Sequence, residues 1–228
     1  NAYDPARPVS AQAWQALAQA VQPHPLRFGS VGLEQPQLMA QHRAIADEAW
    51  AIELRTPRTM LESLKVMRIG AAEVARHRDG ITLLDPKVEW LARLGLFDRS
   101  QAPAPDSYAV TSQIEDFRAK LASTPGFFWM VSADNERATQ VNAGRAYARV
   151  QLAATALGLV MQPLQQALQE YPEVAGPHAA IRALLGASAP GQTVQTVQMW
   201  ARIGHAAPVG PAPRRGLDAH IFQPGTAG

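Results

Sequence analysis

Cysteine is absent from this 228-residue sequence, which removes disulfides, thiolate nucleophiles, Cys-ligated zinc and iron–sulfur clusters together. Electrons, if the chain handles any, must pass through something it binds. Lysine is scarce as well: only Lys65, Lys87 and Lys120 stand among the 21 basic residues, and the other eighteen are arginines. The planar guanidinium fork suits phosphate and carboxylate. A formal net charge of +2, spread along the chain, nevertheless offers none of the basic stripe that nucleic-acid binding needs, so nucleic acid is not an expected partner. Long hydrophobic runs are missing too. The longest mostly apolar stretch, Leu152 to Met161, is about half a membrane span, and no membrane partner is expected. The chain opens at Asn1 without a charged-then-apolar signal pattern, which makes the cytoplasm the expected location.

What is present reads as a globular protein. Apolar residues make up 47% and charged residues 18%, a ratio that excludes wholesale disorder and coiled coil. A chain of this length is expected to form one domain, residues 1–228, burying roughly 70% of its unfolded surface. Helices are expected near Ser10–Val21 with Ser10 as cap, over residues 35–54 on the spacing of Leu38, Ile45, Ala49 and Ile52, and from Thr56-Pro57 through Val74 with Met60, Leu64 and Met67 on its apolar face. Asp85-Pro86 caps a short helix that Gly95 stops. Arg99 to Tyr108 reads as a surface loop rather than a domain boundary, because neither side looks self-sufficient, and residues 111–122 read as a helix.

Two strands stand out. Phe127-Phe128-Trp129-Met130-Val131 is a continuous apolar run whose two sides should both be buried. Val197, Met199, Ala201 and Ile203 alternate with Gln198, Trp200 and Arg202, the pattern of a half-buried strand. A shorter apolar stretch at Leu26–Leu33 also reads as a strand. The helix from about Asn135 to Leu157 is rich in alanine, with Gly144 among them, and reads as a central, buried or interface helix. Pro208, Pro211, Pro213 and Pro224 make the end an extended arm from about residue 207. The sum is an α+β fold, helix-dominated, with a small sheet.

Catalytic templates fail one after another. The six histidines show no i,i+4 pairing with carboxylates, so no metal site is expected. His77-Arg78-Asp79 imitates a kinase tripeptide but lacks its Leu and Asn, and reads as a helix-terminating turn. Gly186-Ala187-Ser188-Ala189-Pro190 has proline where a nucleophile elbow ends in glycine, and reads as a helix end. Neither a dinucleotide fingerprint nor a phosphate loop is present. Arg145 and Arg149 read as solvated or interface arginines. Arg214-Arg215, after Pro213, forms two forks side by side that suit a phosphate.

Several segments in order resemble a known family. Trp129 to Arg137, Asn142 to Leu159, Gln162 to Glu170, Gln195 to Gly204 and Pro213 to Leu217 are similar to FMN-dependent nitroreductases of the Acg-type branch, and Tyr3 to Ser10, Thr56 to Thr59, Glu62-Ser63 and Arg68 to Gly70 continue the likeness. The resemblance implies a nitroreductase-like mixed sheet flanked by helices, in a homodimer with FMN in clefts between the subunits. It implies NADH or NADPH as donor and a nitro compound, quinone or similar small molecule as electron acceptor. The flavin carries the chemistry in such enzymes, so no catalytic side chain and no metal ligand is expected.

By the same resemblance, Pro163, Leu164, Gln165 and Gln166 pass beside the flavin ring, Arg214 and Arg215 bind its phosphate, and Tyr3 belongs to the cofactor-binding set. The alternative reading of 163–166 is a plain strand-to-helix connection. This sequence departs from the family pattern in two places. The arginines that family members carry ahead of the aromatic at Tyr3 are not in it, and Gln22 to Pro25 leads directly into a strand where a flavin-covering loop is usual. A flavin storage or sequestering protein with little turnover is therefore the alternative function.

Overall fold

The computed structural model describes residues 2–188 and 195–221; Asn1, residues 189–194 and residues 222–228, with Ala189, Pro190 and Pro224 among them, lie outside the described residues. In chain order the regular elements are α1 (Ala11–Val21), β1 (Arg27–Gly32), α2 (Pro36–Arg55), α3 (Pro57–Lys65), β2 (Met67–Ile69), α4 (Gly70–His77), β3 (Ile81–Leu83) and α5 (Pro86–Arg93). There follow α6 (Tyr108–Ala122), β4 (Gly126–Ser132), α7 (Arg137–Ala156), β5 (Val160–Pro163), α8 (Ala175–Leu184) and β6 (Thr196–Gly204). The chain separates into two compact units, Asn1–Arg55 with Pro105–Ala207, and Thr56–Ala104 with Pro208–Gly228.

The larger unit is built on a four-stranded sheet in the order β1-β4-β6-β5, with every neighbouring pair antiparallel. Strand β4 is buried along its whole length, as its apolar run predicts. Phe127, Trp129 and Val131 face a core built with Met39, Ile45 and Ala49 of α2, Phe117 and Leu121 of α6, and Ile181 of α8. Phe128 and Met130 face the opposite core, with Leu17 and Val21 of α1 and Ala146, Val150 and Ala154 of α7. Helices therefore cover both faces of an antiparallel sheet, and each fully buried large apolar side chain contributes about 1.5–3 kcal/mol. Trp129 packs across β1 so closely that a Cβ on Gly29 would lie 2.3 Å from its indole, which is why that position takes glycine.

The local punctuation behaves as expected. Ser10 accepts from the Ala13 N–H at the start of α1, and Asp85 accepts from Lys87 and Val88 at the start of α5. Arg78 is left-handed at φ 56° and its N–H closes α4 onto Val74, so His77-Arg78-Asp79 is a helix-ending turn. Gly186, at φ 66°, ends α8 with Ala187 N–H bonded back to Arg182.

Four expectations need correction. The helix predicted from Thr56 through Val74 is broken: Val66 ends α3, and Gly70 at φ 75° separates β2 from α4. Strand β2 then pairs in parallel with β3, so the parallel component of the fold sits in this two-stranded sheet of the smaller unit. Helix α7 buries only the stripe Ala143, Ala146, Val150 and Ala154, leaving Val141, Arg145 and Leu152 exposed, so it is not a buried central helix. Arg149 on it caps the last turn of α1 through the Ala20 carbonyl, 3.1 Å away.

The fourth correction concerns β6. Its register against β4 slips between Met130 and Val131, so that Met130 faces Met199 while Val131 faces Val197 and Gln198 is left over. This bulge turns Val197 to the same core as Trp200, away from Met199, Ala201 and Ile203. Beyond the bulge both faces are covered: Trp200 and Arg202 are each 0% exposed.

Candidate functional site

The residues singled out from the sequence fall into both units. Pro163, Leu164, Gln165, Gln166 and Tyr3 belong to the larger one, and Arg214 and Arg215 to the smaller. The structure places Pro163, Leu164, Gln165 and Gln166 at the exit of β5, an edge strand only four residues long, whereas Tyr3 lies against Arg202 and beside Gly204, the partner of Val160 at the start of that strand.

Strand β5 runs Val160↔Gly204 to Pro163↔Ala201 against β6. Pro163 faces Ala201 at a non-hydrogen-bonded position, where the missing N–H falls on the open edge and costs the ladder nothing. The ladder continues at the next residue: the Leu164 N–H reaches the Trp200 carbonyl at 2.8 Å, and the Leu164 side chain is buried in the core. A single turn of 3-10 helix, Gln166–Leu168, follows. In geometry the segment is a strand running into a helical turn. Its ligand-binding capacity is limited to what remains open. Pro163 is exposed, Leu164 has committed both side chain and N–H, and Gln165 holds its side-chain oxygen buried with no hydrogen-bond partner among the described residues. A buried amide oxygen left unpaired is costly and marks a place where a ligand donor would fit.

Behind this segment stand two side chains of β6 that sequence reasoning left unassigned. Trp200 donates its indole N–H to His42 Nδ1 on α2 at 3.0 Å. His42 is fully buried, stacked on Phe127 and Trp129 with ring centroids 4.9 and 5.3 Å away, and tilted at 43° to Trp200 at 5.8 Å. Burial pushes its pKa down to about 4, so the imidazole is neutral.

Arg202 directs Nε to the Gln162 side-chain oxygen at 2.6 Å and Nη1 to the Lys120 carbonyl at 3.0 Å and Thr124 Oγ1 at 3.4 Å. Arg43 covers the same end of α6, reaching the Leu121 and Thr124 carbonyls at 3.1 and 2.7 Å. Two guanidinium groups thus sit on the carbonyl end of one helix, where its dipole favours positive charge. Desolvation lowers the pKa of Arg202, with Tyr3 acting in the opposite sense.

Tyr3 is 5% exposed. Its hydroxyl donates to the Arg202 carbonyl at 3.2 Å, and its ring lies 4.7 Å from the Arg202 guanidinium carbon. Burial raises the phenol pKa to about 12, so it stays a donor throughout the physiological range. The Tyr3 side chain thus reaches β5 through Arg202, while its backbone N–H donates to Ser123 Oγ at 3.0 Å.

In the smaller unit Arg214 is exposed, and its guanidinium makes one hydrogen bond among the described residues, to the Pro213 carbonyl at 3.1 Å. Arg215 approaches Asp79 at 3.8 Å, and Asp79 is bound more closely by Arg68 at 2.9 Å. One fork is open to an anion and the other is shared with a carboxylate. Each unit thus offers a feature of its own: an open guanidinium that suits a phosphate in the smaller, and an unpaired amide oxygen that suits an N–H donor in the larger. No group of three or more His, Asp or Glu residues able to hold a metal occurs among the described residues, and none of their helices is long and apolar enough to cross a membrane.

The architecture is the nitroreductase-like α+β fold. The chain is similar in structure to the FMN-dependent nitroreductase NfnB from Mycobacterium smegmatis, in complex with NADPH, at 18% identity and a TM-score of 0.53, covering 97% of this chain and 91% of that one. It is likewise similar to the FMN and NADPH-dependent nitroreductase NfnB from sphigopyxis sp. strain HMH, at 20% identity and a TM-score of 0.53, covering 98% and 93%. A nitroreductase with bound FMN from Desulfitobacterium hafniense DCB-2 gives 15% identity and a TM-score of 0.52, covering 97% and 90%. No protein-family model matches the chain, and no curated protein matches it in sequence.

Proposed function

We propose that this chain is a nitroreductase-like flavin oxidoreductase of the Acg-type branch, a single domain working as a cytoplasmic homodimer. It binds FMN and passes electrons from NADH or NADPH to a nitro compound, quinone or similar small acceptor. The observation that carries the reading is the buried, unpartnered Gln165 oxygen on a segment fixed at Leu164, in a fold shared with FMN-dependent nitroreductases.

Bound FMN supplies hydride acceptance and electron donation, which the side chains here do not. The chain's own residues bind and orient. Arg214 offers an open guanidinium to the phosphate, with Arg215 beside it held in part by Asp79. Leu164 fixes the height of the 163–166 segment through Trp200, and Gln165 accepts a hydrogen bond from a donor on the ligand. The exposed face of α7, with Val141 at 45% and Leu152 at 71% and open space around Gly144, suits close approach of a second copy.

Purified protein tests the reading directly. Added FMN should bind with a shifted flavin spectrum, and NADPH should bleach it in a stopped-flow trace. Protein that takes up no FMN refutes the proposal. Protein that holds oxidised FMN which neither nicotinamide reduces is the sequestering alternative.

A further inference from the structure

Residue Gln162 of β5 and residue Arg202 of β6 are register partners, joined by a 2.6 Å hydrogen bond from a fully buried guanidinium to an exposed side chain. The far end of that guanidinium is anchored to the Lys120 carbonyl and Thr124 hydroxyl at the end of α6, and the Tyr3 ring lies against it. Strand β5 needs such a tie. It is a short edge strand of four residues, and beyond its last residue its backbone tie to β6 among the described residues is the Leu164 N–H to the Trp200 carbonyl.

We infer that Arg202 is a positioning residue: through Gln162 it fixes where β5 ends, and hence where the Pro163–Gln166 segment presents itself to a ligand. This rests on the proposed flavin reading only for the identity of that ligand. A charge-assisted bond of this kind anchors a strand end more firmly than a neutral one. Tyr3 acts at one further remove, by closing the guanidinium from above. Its association with the cofactor site is then mechanical.

The test variant is Gln162→Ala, because Gln162 is exposed and water can replace its oxygen at Arg202 Nε, so the fold is kept. Gln162→Glu retains an acceptor at the same place. In the full chain without FMN, amide hydrogen exchange at Leu164 and Gln165 is expected to rise about tenfold in Gln162→Ala and to return to the wild-type rate in Gln162→Glu. With FMN added, the dissociation constant rises several-fold and the flavin midpoint potential shifts in the alanine variant, and both recover in the glutamate variant. Unchanged exchange at Leu164 and Gln165 overturns the inference, as does a uniform rise over all of β5 and β6 that Gln162→Glu fails to reverse. Because exchange is read without the flavin, a wild-type chain that binds no FMN refutes the proposed function while the exchange rates still decide the role of Arg202.

Discussion

Acid should weaken this protein through one residue in its core. His42 is neutral in the folded state because it is sealed among Phe127, Trp129 and Trp200, with a pKa near 4. An unfolded histidine titrates near 6.5. Between these values the unfolded chain binds a proton that the native chain refuses, so the stability contributed by His42 is whole above about pH 6.5 and is lost as pH falls towards 4. The gap between about 4 and 6.5 corresponds to about 3 kcal/mol, a large share of the 5–15 kcal/mol by which a typical domain is stable. The assay is urea unfolding at several pH values from 7.5 to 4.5, followed by tryptophan fluorescence, on wild type and His42→Asn. Asparagine offers Trp200 an acceptor near the place of Nδ1 and does not titrate. Its stability should be lower than wild type at pH 7.5, and the difference should shrink by about 2–3 kcal/mol on going to pH 4.5. Carboxylates elsewhere affect both proteins alike and cancel. Parallel curves for the two proteins would refute the argument.

Three further outcomes follow from single positions. Gly29→Ala places a methyl group 2.3 Å from the Trp129 indole, in a packed core rather than at a flexible tip. Overpacking of about 1–3 kcal/mol should lower the thermal midpoint by about 3 °C or more, and an unchanged melting curve would contradict the β1–Trp129 contact. Gly80 combines φ 72° with a Cβ position 2.1 Å from the Val66 carbonyl, so Gly80→Ala should open the β2–β3 pair and speed limited proteolysis within residues 56–104 several-fold. Arg214→Ala should weaken FMN binding about tenfold or more, and Arg215→Ala less, because Asp79 already engages the second fork; equilibrium fluorescence titration compares them, and the reverse order would refute the assignment.

Local chemistry made much of the fold readable before any coordinates. Ser10 and Asp85 announce helix starts, and the unbroken run from Phe127 to Val131 announces a strand covered on both sides, because each signal depends only on near neighbours. Three-residue strands such as Met67–Ile69 and Ile81–Leu83 carry too short a pattern to be told from helix, and only their parallel pairing gives them identity. The bulge at Gln198 is invisible in β6 alone, since the extra residue exists only relative to β4. His42 escaped notice because histidine reads as polar, although its place three before Ile45 and three after Met39 puts it on the core-facing stripe of α2. Arg202 offered one clue, its alternation in step with Trp200, but its partners come from Gln162, Lys120 and Thr124 and leave no mark near it in sequence. At the site, Gln165 had no distinction of its own: its meaning came from resemblance, and its unpaired oxygen from the fold.

The strand order has a consequence for how the protein is made. Among the described residues strand β1, which ends at Gly32, pairs with β4 alone, and β4 begins at Gly126. At ordinary rates of translation the second strand emerges roughly 5–20 s after the first. The other central strand, β6, starts only at Thr196, later again than β4. Throughout that interval α1, β1 and α2 present to the cell the apolar side chains that they will later bury against β4 and β6. The sheet therefore closes only after β6 has emerged, and until then the apolar faces of α1, β1 and α2 wait for strands that come much later in the sequence.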